Sequence, residues 1–163
     1  MVGQTTLDIV QFHGLLGAAL RGSGQRLIGI DLGTKTIGLA LSDVTRIVAS
    51  PLETIRRTKF KADVARLTTL MQQQGVAGLV VGFPVNLDGS EGPRVQATRA
   101  FTRNLNGLIE VPILLWDERL STAAAERTLI EADTSRRRRA ELIDKVAATI
   151  FLQGALDRMR GIG

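Results

Sequence analysis

The chain has 163 residues, 44% of them apolar, which is enough for the core of one domain and too many for wholesale disorder. Lys and Arg outnumber Asp and Glu by 21 to 16, and 17 of the cations are Arg, a side chain suited to forked contacts with phosphate or carboxylate. The absence of Cys excludes disulfides and thiolate zinc sites, and the single His13 excludes a multi-His metal site, so catalysis would fall to carboxylates, hydroxyls, Lys or Arg.

Residues 1–25 contain a weak helical stripe, Ile9, Phe12 and Leu16, interrupted by Gly14 and Gly17. They read as a flexible or loosely docked extension ahead of a single domain over 26–163. Asp8 and the lack of an early cation argue against a signal peptide, and no apolar run reaches membrane-spanning length.

From Arg26 an apolar strand runs to Asp31, a Gly33-Thr34-Lys35 turn follows, and a second strand with Ile37, Leu39 and Leu41 leads to Asp43. Residues 46–56 read as a third strand, and Pro51 argues that it lies at a sheet edge or begins after the proline. Phe60 to Gln74 has helical spacing in Val64, Leu67, Leu70 and Met71, with Gly75 as its C-cap. Val76 to Phe83 is apolar throughout, as a strand buried on both faces would be. After the turn-rich loop Gly82–Pro93, Ala97, Ala100, Phe101 and Leu105 predict a helix closed by Asn106-Gly107. Val111 to Trp116 is another strand, followed by Asp117, Glu118 and Arg119. Ser121 or Thr122 would cap a helix over 123–131. Residues 133–139 are expected to form a polar loop carrying Arg136, Arg137, Arg138 and Arg139, before a last helix from about Ala140 to Met159. The order βββαβαβα plus a final helix predicts an α/β fold with a mixed five-stranded sheet and helices on both faces.

Asp is depleted within strands and costly to bury alone, so Asp31 at the end of the most apolar strand asks for a reason. A turn or cap role is one answer and a metal or phosphate site is another. Glu118 follows a strand, and Asp144 shares a helical side with Ala147, Ala148, Phe151 and Ala155. If these three carboxylates converge, hard divalent cations, Mg²⁺ or Mn²⁺, would neutralise their repulsion and support phosphoryl transfer. Taken singly, Glu118 could instead pair with Arg119 or Arg127, and Asp144 with Lys145 or a loop arginine. Asn86 and Asp88 could approach phosphate from their loop. Lys35 or Arg119 could steady the scissile phosphate, and Arg136 to Arg139 could contact backbone phosphates. The lack of Tyr and the single Trp argue against a stacking platform for unpaired bases, favouring structured nucleic acid.

The segments Gly29-Ile-Asp-Leu-Gly-Thr-Lys-Thr-Ile-Gly38, Gly82-Phe-Pro-Val-Asn-Leu-Asp-Gly-Ser-Glu-Gly-Pro-Arg94, Trp116-Asp-Glu-Arg-Leu-Ser-Thr122 and Asp144-Lys-Val-Ala-Ala148 resemble, in order, the motifs of the YqgF family. That family comprises Holliday-junction-resolvase-like nucleases of bacteria that process pre-16S rRNA. The resemblance spans about Arg26 to Met159. It implies an RNase H-like fold, a cytoplasmic location and a nuclease trimming the 5′ end of pre-16S rRNA. It implies Asp31, Glu118 and Asp144 as catalytic metal ligands. Asn86 and Arg94, both within the second segment, are candidates for contact with nucleic acid. The extension before Arg26 departs from the family pattern and leaves open a monomer or a homodimer. The rivals are a DNA junction resolvase, a non-catalytic nucleic-acid-binding module and an actin- or sugar-kinase-like ATP binder. The last would need a second such domain.

Overall fold

The computed structural model describes residues 8–19, 25–84, 88–90, 92–120 and 136–162. Its elements are α1 (Ile9–Ala19), β1 (Arg26–Leu32), β2 (Thr36–Ser42), β3 (Ala49–Arg56), α2 (Phe60–Gln74), β4 (Val76–Phe83), α3 (Pro93–Asn106), β5 (Ile113–Asp117), a 3₁₀ turn (Glu118–Leu120) and α4 (Arg136–Ile162). The expected helix over 123–131 lies outside the described residues.

The five strands lie in the order β3-β2-β1-β4-β5, antiparallel on the β3-β2-β1 side and parallel from β1 to β5. This is the expected mixed sheet. Side chains alternate across it, so each strand feeds two cores. Ile28, Ile30, Leu32, Ile37, Leu39, Leu79 and Val81 pack with α2 and α3 through Val64, Leu67, Phe101 and Leu105. Leu27, Ala40, Val80 and Trp116 pack with α4 through Ala147, Ala148, Phe151, Leu152 and Ala155. Phe12 and Leu16 of α1 are buried in this second core.

The helix α2 and strand β4 match their sequence patterns. Gly75 ends α2 in the left-handed region at φ 63°, its N–H donating to the Met71 carbonyl, which is the conformation glycine adopts without a Cβ penalty. β3 is an edge strand, as Pro51 requires, and Pro51 faces Ala40 where Leu52 is inserted as an extra residue. The strand starts at Ala49 rather than 46 because Arg46 takes a left-handed φ of 55° within a turn closed by Asp43.

Two further expectations need correction. The buried stripe of α3 is Val95, Thr98, Phe101, Thr102 and Leu105, while Ala97 is exposed. Thr98 and Thr102 can be buried because their hydroxyls donate to the carbonyls of Arg94 and Thr98, at 2.9 and 2.8 Å. The four arginines are not in a loop: Arg136 to Arg139 form the first turn of α4. Arginine's high helix propensity and the packed turns that follow carry the helix into this run, although cations at a helix N-terminus oppose the macrodipole.

Candidate active site

The parallel strands β1, β4 and β5 end side by side, and Asp31 and Glu118 lie at that end. Ile30 pairs with Val81, Gly82 with Trp116 and Phe83 with Asp117, which sets Asp31 level with Gly82 and Trp116. Crevices beyond the carboxyl ends of such strands are where α/β sheets place their ligands. Asp31 alternates with Ile30 and Leu32 and so stands on the α4 face, where it is only 2% exposed. Glu118 begins the 3₁₀ turn directly after β5, two strand spacings from Asp31, or roughly 10 Å across the sheet. Both carboxylates have interaction partners.

The last helix lies against this face because glycine gives it room. A Cβ on Gly29 would come within 2.8 Å of both the Ala148 carbonyl oxygen and the Leu152 Cβ. A Cβ on Gly82 would run into the Phe151 ring. Asp144 is one helical turn before Ala148 on α4, and Asp31 is two residues beyond Gly29 on β1. The side chain of Asp144 lies outside the described residues. Among the described residues no three His, Asp or Glu side chains form a metal-holding cluster.

The turn after Asp31 is tightly built. The Gly33 N–H donates to the Thr36 carbonyl at 2.9 Å, leaving Thr34 and Lys35 exposed at the tip. On β4, Arg99 of α3 stacks over the Phe83 ring at 4.6 Å from its centroid. In the loop beyond it, Asp88 accepts from the Ser90 N–H and hydroxyl at 2.9 and 2.6 Å, and Gly89 takes a φ of 86°. Asp88 thus organises a turn. Arg94 is exposed in the first turn of α3. Asn86 and the side chains of Arg119 and Arg136 to Arg139 lie outside the described residues.

Asp43, the other carboxylate of the opening hairpin, sits at the opposite end of the sheet. It accepts from the Thr45 hydroxyl and from the N–H groups of Ile47 and Val48 at 2.8 and 2.9 Å, so it is a turn organiser. Arg57 escapes the sequence motifs altogether. Its guanidinium donates to the Gly33 carbonyl at 2.6 Å, and the run Arg56-Arg57-Thr58-Lys59-Phe60-Lys61 is the signal that could have drawn attention to it.

Residues 25–158 match the family described as "RuvX: Holliday junction resolvase". The chain belongs to this family. RuvX relatives described as candidate pre-16S rRNA nucleases include one from Cereibacter sphaeroides, 62% identical over 90% of this chain and 91% of its own length. Another, from Beijerinckia indica, is 64% identical over 94% of this chain and 90% of its own length. Among solved structures, Thermus thermophilus RuvC in complex with a Holliday junction substrate superposes with a TM-score of 0.53 at 14% identity, covering 83% of this chain and 96% of that one. At that identity the likeness concerns the fold, and the fold is RNase H-like. The four motifs of the sequence fall within the matched residues of the RuvX family, from Gly29 to Ala148.

Proposed function

We propose that this chain is a divalent-metal-dependent nuclease that hydrolyses phosphodiester bonds in structured nucleic acid, with the 5′ end of pre-16S rRNA as its substrate in the bacterial cytoplasm. The observation that carries this reading is Asp31, a carboxylate 2% exposed at the carboxyl end of the central strand, on the face against which α4 packs. A carboxylate is expensive to bury for packing alone, and a site needing concentrated negative charge explains its retention. The names given to the Cereibacter and Beijerinckia relatives favour precursor rRNA over junction DNA.

The donor set fits a hard cation. Asp31, Glu118 and Asp144 offer oxygen ligands only, and the chain has neither Cys nor a second His to compete. When bound, Mg²⁺ or Mn²⁺ supplies an activated water and stabilises the charge on the leaving oxygen. Asp31 holds its place through the packing of β1 beneath α4. Glu118 would enter from the turn that follows β5, and Asp144 from the third turn of α4. Lys35, Arg94, Arg119 and Arg136 to Arg139 contribute positive charge toward the substrate backbone. The chain acts as a monomer or a homodimer.

Purified protein incubated with a pre-16S 5′-leader transcript and, separately, with a four-way DNA junction tests this reading. Cleavage of the transcript that requires Mg²⁺ or Mn²⁺ is expected. Cutting of the junction alone would transfer the assignment to DNA, and cleavage of neither substrate with either ion would refute the nuclease.

A further inference from the structure

The end of the sheet that carries Asp31 also carries cations to which the motifs assign no role. Between β3 and α2 the chain reads Arg56-Arg57-Thr58-Lys59-Phe60-Lys61, four cations without an intervening acid. All four are exposed. The topology brings this segment to the turn that follows Asp31. Thr36 pairs with Arg56, and the Arg57 N–H donates to the Lys35 carbonyl at 2.9 Å. The Arg57 guanidinium then reaches the Gly33 carbonyl at 2.6 Å, fastening itself two residues from Asp31 in sequence.

The segment is held rigidly. Asp63, only 6% exposed, accepts from the Thr58 N–H at 3.2 Å and the Thr58 hydroxyl at 3.4 Å, and its own N–H donates to the Lys59 carbonyl at 3.0 Å. Lys59 is thereby fixed in an extended conformation at the start of α2, where no side chain caps the helix. Glu53, the carboxylate of β3, is already engaged by Arg66, whose Nε and Nη2 donate to it at 2.8 and 2.6 Å. Clustered, exposed positive charge with no acid between its members suits an anionic ligand.

We infer that Arg57, Lys59 and Lys61, together with Lys35, form a phosphate-binding strip that takes the sugar–phosphate backbone of the substrate beside the Asp31 site. The substrate class rests on the nuclease reading above. The strip itself rests on the charge and on the fastening of Arg57 and Lys59. With one N–H engaged by Gly33, the Arg57 fork keeps its other donors for a phosphate oxygen. Lys59 and Lys61 act as point charges that neutralise phosphates and release counterions.

The test is a salt titration of the full chain binding a fluorescein-labelled RNA hairpin with a 5′ single-stranded extension, read by anisotropy in EDTA. For Lys59→Gln/Lys61→Gln the slope of log K against log salt should become shallower by roughly 1.4–1.8, at about 0.7–0.9 per lost phosphate contact. Arg57→Gln should lower affinity, and Arg57→Lys should restore only the part that charge alone supplies. Lys35→Gln, on a separate element, should add to the slope change. In cleavage assays KM should rise more than kcat falls. A wild type that cleaves while the double variant keeps its slope and binds within twofold would overturn the strip and leave the nuclease intact. A wild type that binds with a slope the double variant loses, yet never cleaves, would uphold the strip and remove the nuclease. Absence of salt-dependent binding by the wild type would remove both.

Discussion

The carbonyl oxygen of Ala148 lies where Gly29 leaves room for it, 2.8 Å from the position a Cβ at residue 29 would take. This contact seats α4 on β1 within one helical turn of Asp144 and two residues of Asp31. A backbone oxygen cannot rotate away as a side chain can, so Gly29→Ala must displace the helix or bend the strand. Overpacking of this kind costs about 1–3 kcal/mol, a drop of roughly 3–10 °C in Tm for a domain of this size. Thermal melting checks the stability. Cleavage per folded molecule should fall as well, because the displaced elements carry two of the proposed metal ligands. A variant that melts and cleaves like the wild type would show that α4 does not rest on Gly29.

Gly82 and Phe151 make a second contact of the same kind, but here the obstacle is a side chain. Gly82→Ala should destabilise, and trimming the ring in Phe151→Leu should relieve part of that cost. The double variant is expected to be more stable than the sum of the two single effects by at least about 0.5 kcal/mol, the size of coupling seen between residues in contact. Denaturant unfolding of the four proteins measures it, and strict additivity would mean that the two residues do not meet.

Asp31→Asn keeps the shape and removes the charge. If the carboxylate is retained for metal binding, cleavage should fall on the order of a hundredfold or more, since even residues that only support a metal ligand are worth about 10–100-fold. The fold should persist, because Asn keeps the side-chain shape and a hydrogen-bonding group at this buried position, whose carboxylate has interaction partners. Melting curves and cleavage rates on the same preparation separate the two effects. A large loss of stability with unaltered specific activity would make Asp31 a structural residue.

The legible parts of this chain are those where a local pattern and its punctuation agree. Phe60–Gln74 and Val76–Phe83 are of this kind, with an apolar period on each side of Gly75. Asp31 stands out for a related reason, a charged residue ending a run that otherwise wants burial. The stripe of α3 is less legible because Thr98 and Thr102 satisfy their own hydroxyls and so pass as core residues. The arginines at the start of α4 resemble a solvated loop when read alone, and their helical state depends on the packed turns that follow. Arg57 could not be placed at all from local pattern. Its position beside the Asp31 turn follows from the pairing of β3 with β2, a long-range fact.

Phe12 is fully buried although its helix begins a weakly patterned segment, and a Cβ on Gly78 would come within 2.9 Å of its ring. We propose that α1 is a structural part of the core rather than a loose extension. Phe12→Ala should then lower Tm by several degrees, as loss of a buried aromatic costs about 3–5 kcal/mol at a fully coupled site and less where a terminal helix can release locally. Cleavage by the folded fraction should persist, because Gly78 lies on β4 four residues before the level of Asp31. An unchanged Tm would return α1 to the status of a loose extension.

The turn around Asp43 should give the protein an acid-sensitive element far from the proposed active site. The Thr45 hydroxyl, followed by the N–H groups of Val48, Ile47 and Thr45, holds the Asp43 carboxyl well below the usual carboxylate range. Those bonds favour the ionised form, so the folded state binds this proton less readily than the unfolded chain, whose carboxyl titrates near its ordinary value of 3.8. The stabilisation is therefore present in full at pH values above that ordinary value, and it is lost as the pH falls from about 4 toward the depressed value of the folded state. Asp43→Ala should melt several degrees below the wild type at pH 7, with the gap narrowing as the pH is lowered through 4 and toward 2. Differential scanning calorimetry of both proteins across that range measures the gap directly. A gap that stays constant with pH would mean that the turn is held by something other than the charge on Asp43.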